Sequence, residues 1–241
     1  MAGGKGTRIR EATDELVPKP MLPIGGKPML EHIMGIYAAQ GFKDFAIAAG
    51  FKGEQIMSWA NLHRHEFHQR GWTVDVHDTG EDTQTGGRLL KLKDILIEPF
   101  MMTYGDGLAD INLHALERFH FDMEDKGCLV TLTAVNPPSR FGMLKIKDGL
   151  ANLFTEKTQS DVGWINGGFY YIQPGIFDFI NGDMCQWEFD VLPVLALQGK
   201  LAAYQHPGYF QMCDNWRDWD RLKKIWEAGA APWARMSKGT T

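Results

Sequence analysis

The sequence predicts an α/β fold of the Rossmann-like kind, with a mostly parallel mixed sheet, helices on both faces and a small antiparallel portion. As far as Gly127, segments with helical apolar spacing alternate with segments typical of strands. After Gly127 the strand-like segments follow one another with only short turns, which favours antiparallel pairing. The chain has 241 residues, 44% of them hydrophobic, which suits one continuous core. We therefore expect a single domain, 1–241.

The first half of the chain is predicted to begin with loop-like residues and then to alternate. A helix starts after Pro28, which suits a first helical turn, and ends near Gly41. Further helices are expected at 54–60, 88–96 and 113–126, and strands at 44–49, 73–77 and 100–104.

The second half is predicted to be richer in strands. Strands are expected at 128–135, 143–146, 150–154, 164–172 and 201–205, and helices at 187–198 and 216–227.

Charge and cysteine usage exclude several classes of protein. With 25 basic and 30 acidic residues, the formal net charge is −5, so the chain lacks the positive field that gathers nucleic acid or an anionic membrane. We expect neither as a partner, and any phosphate site must be local. Cys128, Cys185 and Cys213 are odd in number and lack C-x-x-C spacing, which favours reduced thiols and the cytoplasm. No apolar run approaches the ~20 residues of a membrane span.

The opening segment Gly3-Gly4-Lys5-Gly6-Thr7-Arg8 is typical of a loop that approaches phosphates. Glycines let backbone N–H groups come close to an anion, and Arg8 adds a cation. The spacing matches neither a Walker loop nor a dinucleotide fingerprint. A plain glycine turn is the alternative, and this segment alone does not decide between the two.

Lys19 and Asp106 point to the same chemistry. Lys19 lies on a proline-stiffened segment that can direct its side chain at the same phosphates. Asp106 comes just after an apolar strand and is flanked by two glycines. This position is at the sheet edge where open α/β folds bind ligands. Its carboxylate is a candidate ligand for a hard cation, and a turn residue is the alternative.

Taken with Lys19-Pro20 and Gly25-Gly26-Lys27-Pro28, the opening segment resembles the signature of the sugar-1-phosphate nucleotidyltransferase superfamily. Further segments resemble those of glucose-1-phosphate cytidylyltransferases: Thr85-Gly86-Gly87-Arg88-Leu89, Thr103-Tyr104-Gly105-Asp106-Gly107, Arg140-Phe141-Gly142, Asn166-Gly167-Gly168-Phe169, Trp187-Glu188 and His206-Pro207-Gly208. The resemblance covers nearly the whole chain. It implies the nucleotide-diphospho-sugar transferase fold and an enzyme that joins CTP to a sugar 1-phosphate, first of all glucose 1-phosphate, and releases pyrophosphate.

The resemblance also implies a role for each matching residue. The N-terminal half would mainly bind the nucleotide and the C-terminal half the sugar phosphate. The implied catalytic residues are Arg8, Lys19 and Asp106, and Asp106 would share a Mg²⁺ with Asp214. The implied nucleotide contacts are Gly3, Gly4, Gly6, Thr7, Arg8, Lys19, Gly86, Gly87, Arg88 and Asp106, with Arg88 facing the base. The implied sugar-phosphate contacts are Tyr104, Glu156, Lys157, Asn166, Gly167, Gly168, Trp187 and Glu188.

Several of these residues have a structural alternative. Arg88 can be the solvated first residue of a helix, and Asp214 or Asn215 can cap the helix that begins at Trp216. Residues 166–168 can form a bulge in a twisted sheet. A metal site at His63, His65 and His68 is disfavoured, because no carboxylate or cysteine partner is evident.

Other functions stay open. The transferase can use UTP, dTTP or another sugar phosphate, and its family implies a homo-oligomer. A catalytically silent subunit that senses nucleotide-sugars is the non-enzyme alternative. A nicotinamide-dependent oxidoreductase is suggested only by glycines and βα alternation, and the chain lacks the fingerprint for it.

The N-terminus departs from the resemblance. Relatives begin with a short apolar strand that leads into Leu-Ala-Gly-Gly, and Met1 stands at that Leu. We expect either that upstream codons supply the strand, which we favour, or that the fold tolerates a gap between two strand edges.

Overall fold

The structure, a computed structural model, describes residues 1–4, 17–136, 143–147, 150–155 and 163–235. These residues alternate between helices and strands as the sequence predicts, and the mixed α/β fold is confirmed. The described α-helices are α1 (Met29–Ala38), α2 (Gly53–Leu62), α3 (Arg64–Gln69), α4 (Thr85–Leu90), α5 (Leu113–Glu124), α6 (Leu192–Leu197), α7 (Trp216–Glu227) and α8 (Pro232–Arg235). Among them, none combines the length and apolar character needed to cross a membrane.

Local signals explain several helix ends. The Asn112 side chain accepts a hydrogen bond from Ala115 N and so caps α5. Gly41 and Gly127 adopt φ of 94° and 87° just after α1 and α5, a conformation that glycine tolerates best. Helix α4 starts three residues earlier than predicted, so that Arg88 lies within the helix instead of at its first position. A π-helix at Trp187–Val191 precedes α6.

The described strands are β1 (Pro23–Ile24), β2 (Lys27–Pro28), β3 (Asp44–Ala49), β4 (Thr73–Asp78), β5 (Phe100–Thr103), β6 (Gly107–Ala109), β7 (Val130–Val135), β8 (Met143–Lys147), β9 (Leu150–Thr155), β10 (Ile165–Ile172), β11 (Leu201–His206) and β12 (Phe210–Met212). Strands β11, β7, β10 and β5 form a sheet in that order, with β11 parallel to β7 and β10 antiparallel to both of its neighbours. Strands β3 and β4 form a parallel pair. The pairs β1–β2, β6–β12 and β8–β9 are antiparallel.

Alternate residues of β10 show that both faces of the larger sheet are covered. Phe169 and Tyr171 pack in a buried cluster that includes side chains of α1 and α5. Tyr170 and Ile172 pack in another cluster, with side chains of α4 and α6. This alternation is the period-two pattern of a strand that is buried on both sides.

Met1 and Ala2 connect the four-stranded sheet to the β3–β4 pair. Ala2 forms a parallel bridge with Ala49 at the end of β3. On the other side, Met1 N donates to Thr103 O of β5 at 2.8 Å, and Gly105 N donates to Met1 O at 2.9 Å. Met1 also lines a cavity of about 580 Å³, whose walls include residues of β3 and β5. It lies where the short apolar strand that begins the relatives is expected.

Candidate active site

A cavity of about 590 Å³ opens where β5 ends, between the N-terminal residues, α4 and the start of α7. Its size is that of a small-molecule site. Its lining consists of Met1, Ala2, Gly3, Gly4, Lys19, Pro20, Glu81, Asp82, Thr83, Gln84, Thr85, Arg88, Tyr104, Gly105, Asp106, Glu188, Met212 and Asp214.

Three predicted residues converge in this cavity. Lys19 Nζ donates to Asp106 Oδ2 at 2.8 Å and to Asp214 Oδ1 at 3.0 Å. Lys19 reaches the carboxylates from a short 3-10 helix, Lys19–Met21, which follows Pro18 and is stiffened by Pro20. The predicted convergence of Lys19, Asp106 and Asp214 is therefore observed.

Antiparallel pairing of β6 with β12 brings the two aspartates together. Gly107 pairs with Met212, so Asp106 lies opposite Cys213 just beyond the ladder, and Asp214, the next residue, is close enough to share Lys19 Nζ with Asp106. Cys213 N donates to Asp106 O at 2.8 Å and extends the pairing. Asn215 is the residue that caps α7, in a capping box with Asp218. The capping alternative thus applies to Asn215, and the Asp214 carboxylate faces Lys19.

The two carboxylates raise the pKa of Lys19. Burial acts to lower that pKa, but the charges and hydrogen bonds of Asp106 and Asp214 outweigh it and hold it above the ordinary value of 10.5. Lys19 therefore stays an ammonium at neutral pH, available to neutralise phosphate charge.

The site also fits a divalent cation. Asp106 Oδ1 is buried and accepts no hydrogen bond from any residue that the structure describes. An unsatisfied carboxylate oxygen beside a second carboxylate is the donor set that Mg²⁺ prefers. Among the residues that the structure describes, the cavity lining contains two cationic side chains, Lys19 and Arg88, and more carboxylates than cations. Such a lining needs added positive charge before it can hold a triphosphate.

Arg88 lies at the cavity with its guanidinium buried; the residue is only 4% exposed. Its Nη1 donates to Thr79 Oγ1 at 2.7 Å, to Gly80 O at 2.6 Å and to Ala49 O at 3.3 Å. Its Nη2 donates to Gly3 O at 2.9 Å and to Glu81 O at 3.0 Å. Arg88 is therefore not a solvated helix start. It ties the N-terminal residues, the end of β3 and residues 79–81 to α4, and its base-reading role stays a prediction.

The predicted glycines have different neighbours. A Cβ at Gly3 would lie 2.3 Å from Arg88 Cζ, so Gly3 makes room for the guanidinium. A Cβ at Gly86 would lie 2.8 Å from Cys185 O, and one at Gly87 would lie 2.3 Å from Asp183 O. Gly86 and Gly87 thus let α4 pack closely on residues 183–185, and neither lines the cavity. Gly4 does line it, and a Cβ there would meet no atom of the described residues within 4 Å.

A chain of hydrogen bonds surrounds Tyr104 at the predicted sugar end of the cavity. Tyr104 OH donates to Glu188 Oε1 at 2.5 Å and lies 2.7 Å from Tyr170 OH. Thr85 Oγ1 donates to Glu188 Oε2 at 2.9 Å. Burial, together with Tyr170 and Glu188, raises the pKa of Tyr104 strongly, so its hydroxyl stays protonated. Tyr170 was not predicted, because nothing in the sequence tells which residues of β10 face Tyr104.

Residues 166–168 belong to a β-bulge. The pairing of β10 with β7 shifts register between Asn166 and Tyr170, and Asn166 Nδ2 donates to Tyr170 OH at 2.5 Å. Gly168 has a φ of 75°, and a Cβ there would lie 2.6 Å from Tyr104 Cδ2. A Cβ at Gly167 would lie 2.7 Å from a Val135 methyl carbon. The bulge alternative is therefore observed, and it supports Tyr104 from behind.

Trp187 lies in the core instead of the cavity. Trp187 is 1% exposed, and its indole packs edge-on against Tyr170 with ring centroids 5.8 Å apart. Its backbone N donates to Thr85 Oγ1 at 2.9 Å. A ring buried in this way cannot contact a ligand in the cavity, so the predicted sugar contact is corrected to a packing role.

The remaining predictions fall partly outside the described residues. Gly6, Thr7, Arg8, Glu156 and Lys157 lie there, as does the segment Arg140-Phe141-Gly142. The three histidines that follow α2 are described. His63 Nδ1 is hydrogen-bonded to Trp59 O at 2.9 Å and His65 Nε2 to Gln69 at 3.0 Å, and no group of three or more candidate metal ligands occurs among the described residues.

A lysine and two carboxylates that converge at the strand ends of an α/β fold define a site for phosphate chemistry. The chain belongs to the nucleotidyl transferase family, whose sequence model matches residues 1–232. It is 43% identical to the glucose-1-phosphate cytidylyltransferase of Salmonella typhimurium, over 97% of this chain and 96% of that one. It is 39% identical to the probable glucose-1-phosphate cytidylyltransferase of Bacillus subtilis, over 97% of each.

Solved structures share the fold. A putative glucose-1-phosphate thymidylyltransferase from Bacillus anthracis, in complex with sucrose, superposes with a TM-score of 0.69 at 16% identity, over 93% of this chain and 92% of that one. A UDP-glucose pyrophosphorylase complexed with UDP-glucose gives 0.66 at 19% identity, over 95% and 97%. At these identities the likeness establishes the fold alone.

Proposed function

We propose that this protein transfers the cytidylyl group of CTP to glucose 1-phosphate, giving CDP-glucose and pyrophosphate. The observation that carries this proposal is the convergence of Lys19, Asp106 and Asp214 in the 590 Å³ cavity. The names of the 43% and 39% identical relatives support the choice of CTP and glucose 1-phosphate.

The reaction is a displacement at the α-phosphorus of CTP. An oxygen of the sugar phosphate forms the new P–O bond, the bond to the β-phosphate breaks, and pyrophosphate leaves with its electron pair. A sugar phosphate is already largely dianionic at neutral pH, since the second pKa of a phosphate monoester is about 6, and no general base is needed. The protein's task is to align two anions and to offset their charge.

Among the described residues, Lys19 would offset the phosphate charge, because its ammonium lies beside both aspartates and keeps its proton. Asp106 and Asp214 would hold a Mg²⁺, which when bound offsets charge on the phosphates and the departing pyrophosphate. Arg8 and Lys157, outside the described residues, would add the cations that the acidic lining lacks. Tyr104 and Glu188 would orient the hexose, since both lie in the cavity with polar groups toward one another.

A pyrophosphate-release assay tests the substrate pair. Purified protein is incubated with Mg²⁺, each of CTP, UTP, dTTP, GTP and ATP, and several sugar 1-phosphates. The highest kcat/KM is expected for CTP with glucose 1-phosphate. Release with UTP or dTTP alone would move the assignment to another nucleotide, and release with no pair would indicate a silent, sensing subunit.

We further propose a cytoplasmic homo-oligomer. The free, buried state of Cys128, Cys185 and Cys213 supports a reducing compartment. The outward side of the π-helix and α6 exposes Phe189 by 76% and Leu197 by 89%, which supports burial against another copy. Light scattering at several concentrations tests the oligomer, and a strictly monomeric mass would contradict it.

A further inference from the structure

A second cavity, of about 400 Å³, lies between α1, the segment that leads from α3 into β4, and the C-terminal helices α7 and α8. It shares no lining residue with the candidate active site. Its lining consists of Lys27, Glu31, His32, Gly35, Ala38, Ala39, Lys43, Arg70, Trp72, Trp226, Trp233 and Ala234.

The floor of this cavity is a face of α1 with unusually small side chains. Gly35 lies in the middle of the helix, where glycine costs roughly 1 kcal/mol relative to alanine. A Cβ at Gly35 would meet no atom of the described residues within 4 Å, so none of those residues requires glycine there. Ala38 and Ala39 continue the low surface. Packing within the described chain does not explain Gly35, whereas an occupant above it would.

Positive charge is concentrated around this floor. Lys27, Lys43 and Arg70 line the cavity, and Glu31 is the single carboxylate among the described residues of its lining. Glu31 Oε1 accepts hydrogen bonds from Lys27 at 2.7 Å and from Arg70 at 3.0 Å, and Arg70 also donates to Glu66, so two carboxylates face the three cations. Lys43 is exposed and has no ion pair with any residue that the structure describes. This excess of cations stands out in a chain with a net charge of −5.

Aromatic side chains wall the cavity and are held in place. The Arg70 guanidinium lies 5.1 Å from the centre of the Trp72 ring. His32 Nε2 donates to Ile24 O at 2.8 Å, and Trp233 Nε1 donates to His32 Nδ1. His32 meets Trp226 edge-on with ring centroids 4.6 Å apart. These walls are thus preorganised, with both nitrogens of His32 engaged.

We propose that this cavity binds a phosphoryl anion, either inorganic phosphate or the phosphate of a small monoester. The phosphate contacts Lys43, Lys27 and Arg70, whose N–H groups supply charge-assisted hydrogen bonds. Any organic part of the ligand lies over Gly35 and beside Trp226. The volume suits a ligand of this size.

Calorimetric titrations with inorganic phosphate and with AMP test the proposal, and they distinguish the two sources of the phosphoryl group. Lys43→Gln removes the exposed cation, and Gly35→Leu places an apolar side chain above the floor, at a position where a Cβ meets no described atom within 4 Å. Each change is expected to raise the Kd of the bound probe at least about tenfold, or roughly 1.4 kcal/mol. Lys93→Gln, which removes an exposed lysine elsewhere, is the matched control and should bind as the wild type does.

Thermal unfolding of each variant establishes that it is folded. Lys43 is exposed, so Lys43→Gln still tests the proposal if Gly35→Leu does not fold. Loss of binding in these two variants, with binding retained in Lys93→Gln, supports the site. The proposal is overturned if wild type, Lys43→Gln and Gly35→Leu bind both probes alike, or if the wild type binds neither at about 10 mM.

Discussion

Lys19 Nζ lies 2.8 Å from Asp106 Oδ2, across 87 residues of sequence, and it also contacts Asp214. The ammonium therefore lies between the two carboxylates that would hold the divalent cation, and it contacts Oδ2 of Asp106 while Oδ1 has no partner among the described residues. The folded protein therefore depends on one positive charge, that of Lys19, to offset the negative charges of Asp106 and Asp214.

Replacing Lys19 should make the folded protein more responsive to Mg²⁺. In Lys19→Met the two carboxylates lose their common counterion, which we expect to cost a few kcal/mol, less than a fully buried pair because both remain partly exposed. Mg²⁺ without nucleotide should restore part of that loss. The measurement is the melting temperature with and without 10 mM MgCl₂, about the upper end of ordinary assay conditions. An equal Mg²⁺ response in Lys19→Met, wild type and a Lys93→Met control would contradict the prediction.

Arg88 should act mainly on stability. Its five hydrogen bonds go to protein acceptors, so Arg88→Met leaves several buried carbonyl groups unsatisfied and should lower the free energy of unfolding by about 3 kcal/mol or more. kcat/KM for CTP and UTP should fall together. Denaturant unfolding and both rate constants are measured beside Arg64→Met, which removes an exposed arginine. Unchanged stability with an altered CTP to UTP ratio would favour the base-reading role instead.

Tyr104 should affect the sugar phosphate more than the nucleotide. Tyr104→Phe deletes the hydroxyl that bonds Glu188 and leaves Tyr170 without that partner. We expect the same hydroxyl to hydrogen-bond the sugar, and loss of that bond, about 1 to 2 kcal/mol, corresponds to a roughly 5- to 30-fold rise in KM for glucose 1-phosphate. Tyr204→Phe, on β11, is the control. If KM for both substrates stays at the wild-type value, the cluster around Tyr104 does not bind sugar.

An apolar strand placed ahead of Met1 should stabilise the protein. A five-residue extension rich in Val and Ile would enter the 580 Å³ cavity between β3 and β5 and pair with both edges. Each buried side chain contributes about 1.5 to 3 kcal/mol against about 1 to 2 kcal/mol of backbone ordering, so the net gain is a few kcal/mol. A Gly-Ser extension of equal length should give no gain in melting temperature. Equal melting temperatures for the two extensions would exclude strand insertion.

The same extension should remove a pH dependence. Burial lowers the pKa of the Met1 amine from 8.0 to about 6. Between these values the unfolded chain binds a proton that the folded chain does not, so the free energy of unfolding falls as the pH falls from about 8 to 6, by up to about 3 kcal/mol. Denaturant unfolding at pH 6, 7 and 8 measures this slope. The apolar extension, which moves the amine away from the cavity, should flatten it, and an equal slope in both proteins would contradict this account.

The sequence predicts local features better than those that depend on register. The bounds of α7 match the prediction, because its apolar spacing is regular and Asn215 marks its start. The sequence predicts no helix over the segment that forms α3, since Phe67 is the single buried residue of that helix. The placement of Asp214 beside Asp106 depends on the pairing of two three-residue strands about a hundred residues apart, and only the resemblance to relatives indicated it.

Side-chain orientation was the least predictable property of the site. Gly86, Gly87 and Trp187 occur in motif segments, yet they pack against the core and residues 183–185 instead of lining the cavity. The hydrogen bonds of Arg88 reach acceptors from Gly3 to Glu81, and no local pattern encodes such a set.

The most direct test of the central claim is Mg²⁺-dependent pyrophosphate release from CTP and glucose 1-phosphate by wild type and by Asp106→Asn. The substitution keeps the shape of the side chain and removes the charge that would hold the cation beside Asp214. Wild type should release pyrophosphate only when Mg²⁺ is present, and a correctly folded Asp106→Asn should lose more than nine-tenths of that rate, roughly 1.4 kcal/mol or more in barrier. Retention of more than about a tenth of the rate, or wild-type turnover that survives EDTA, would contradict the account.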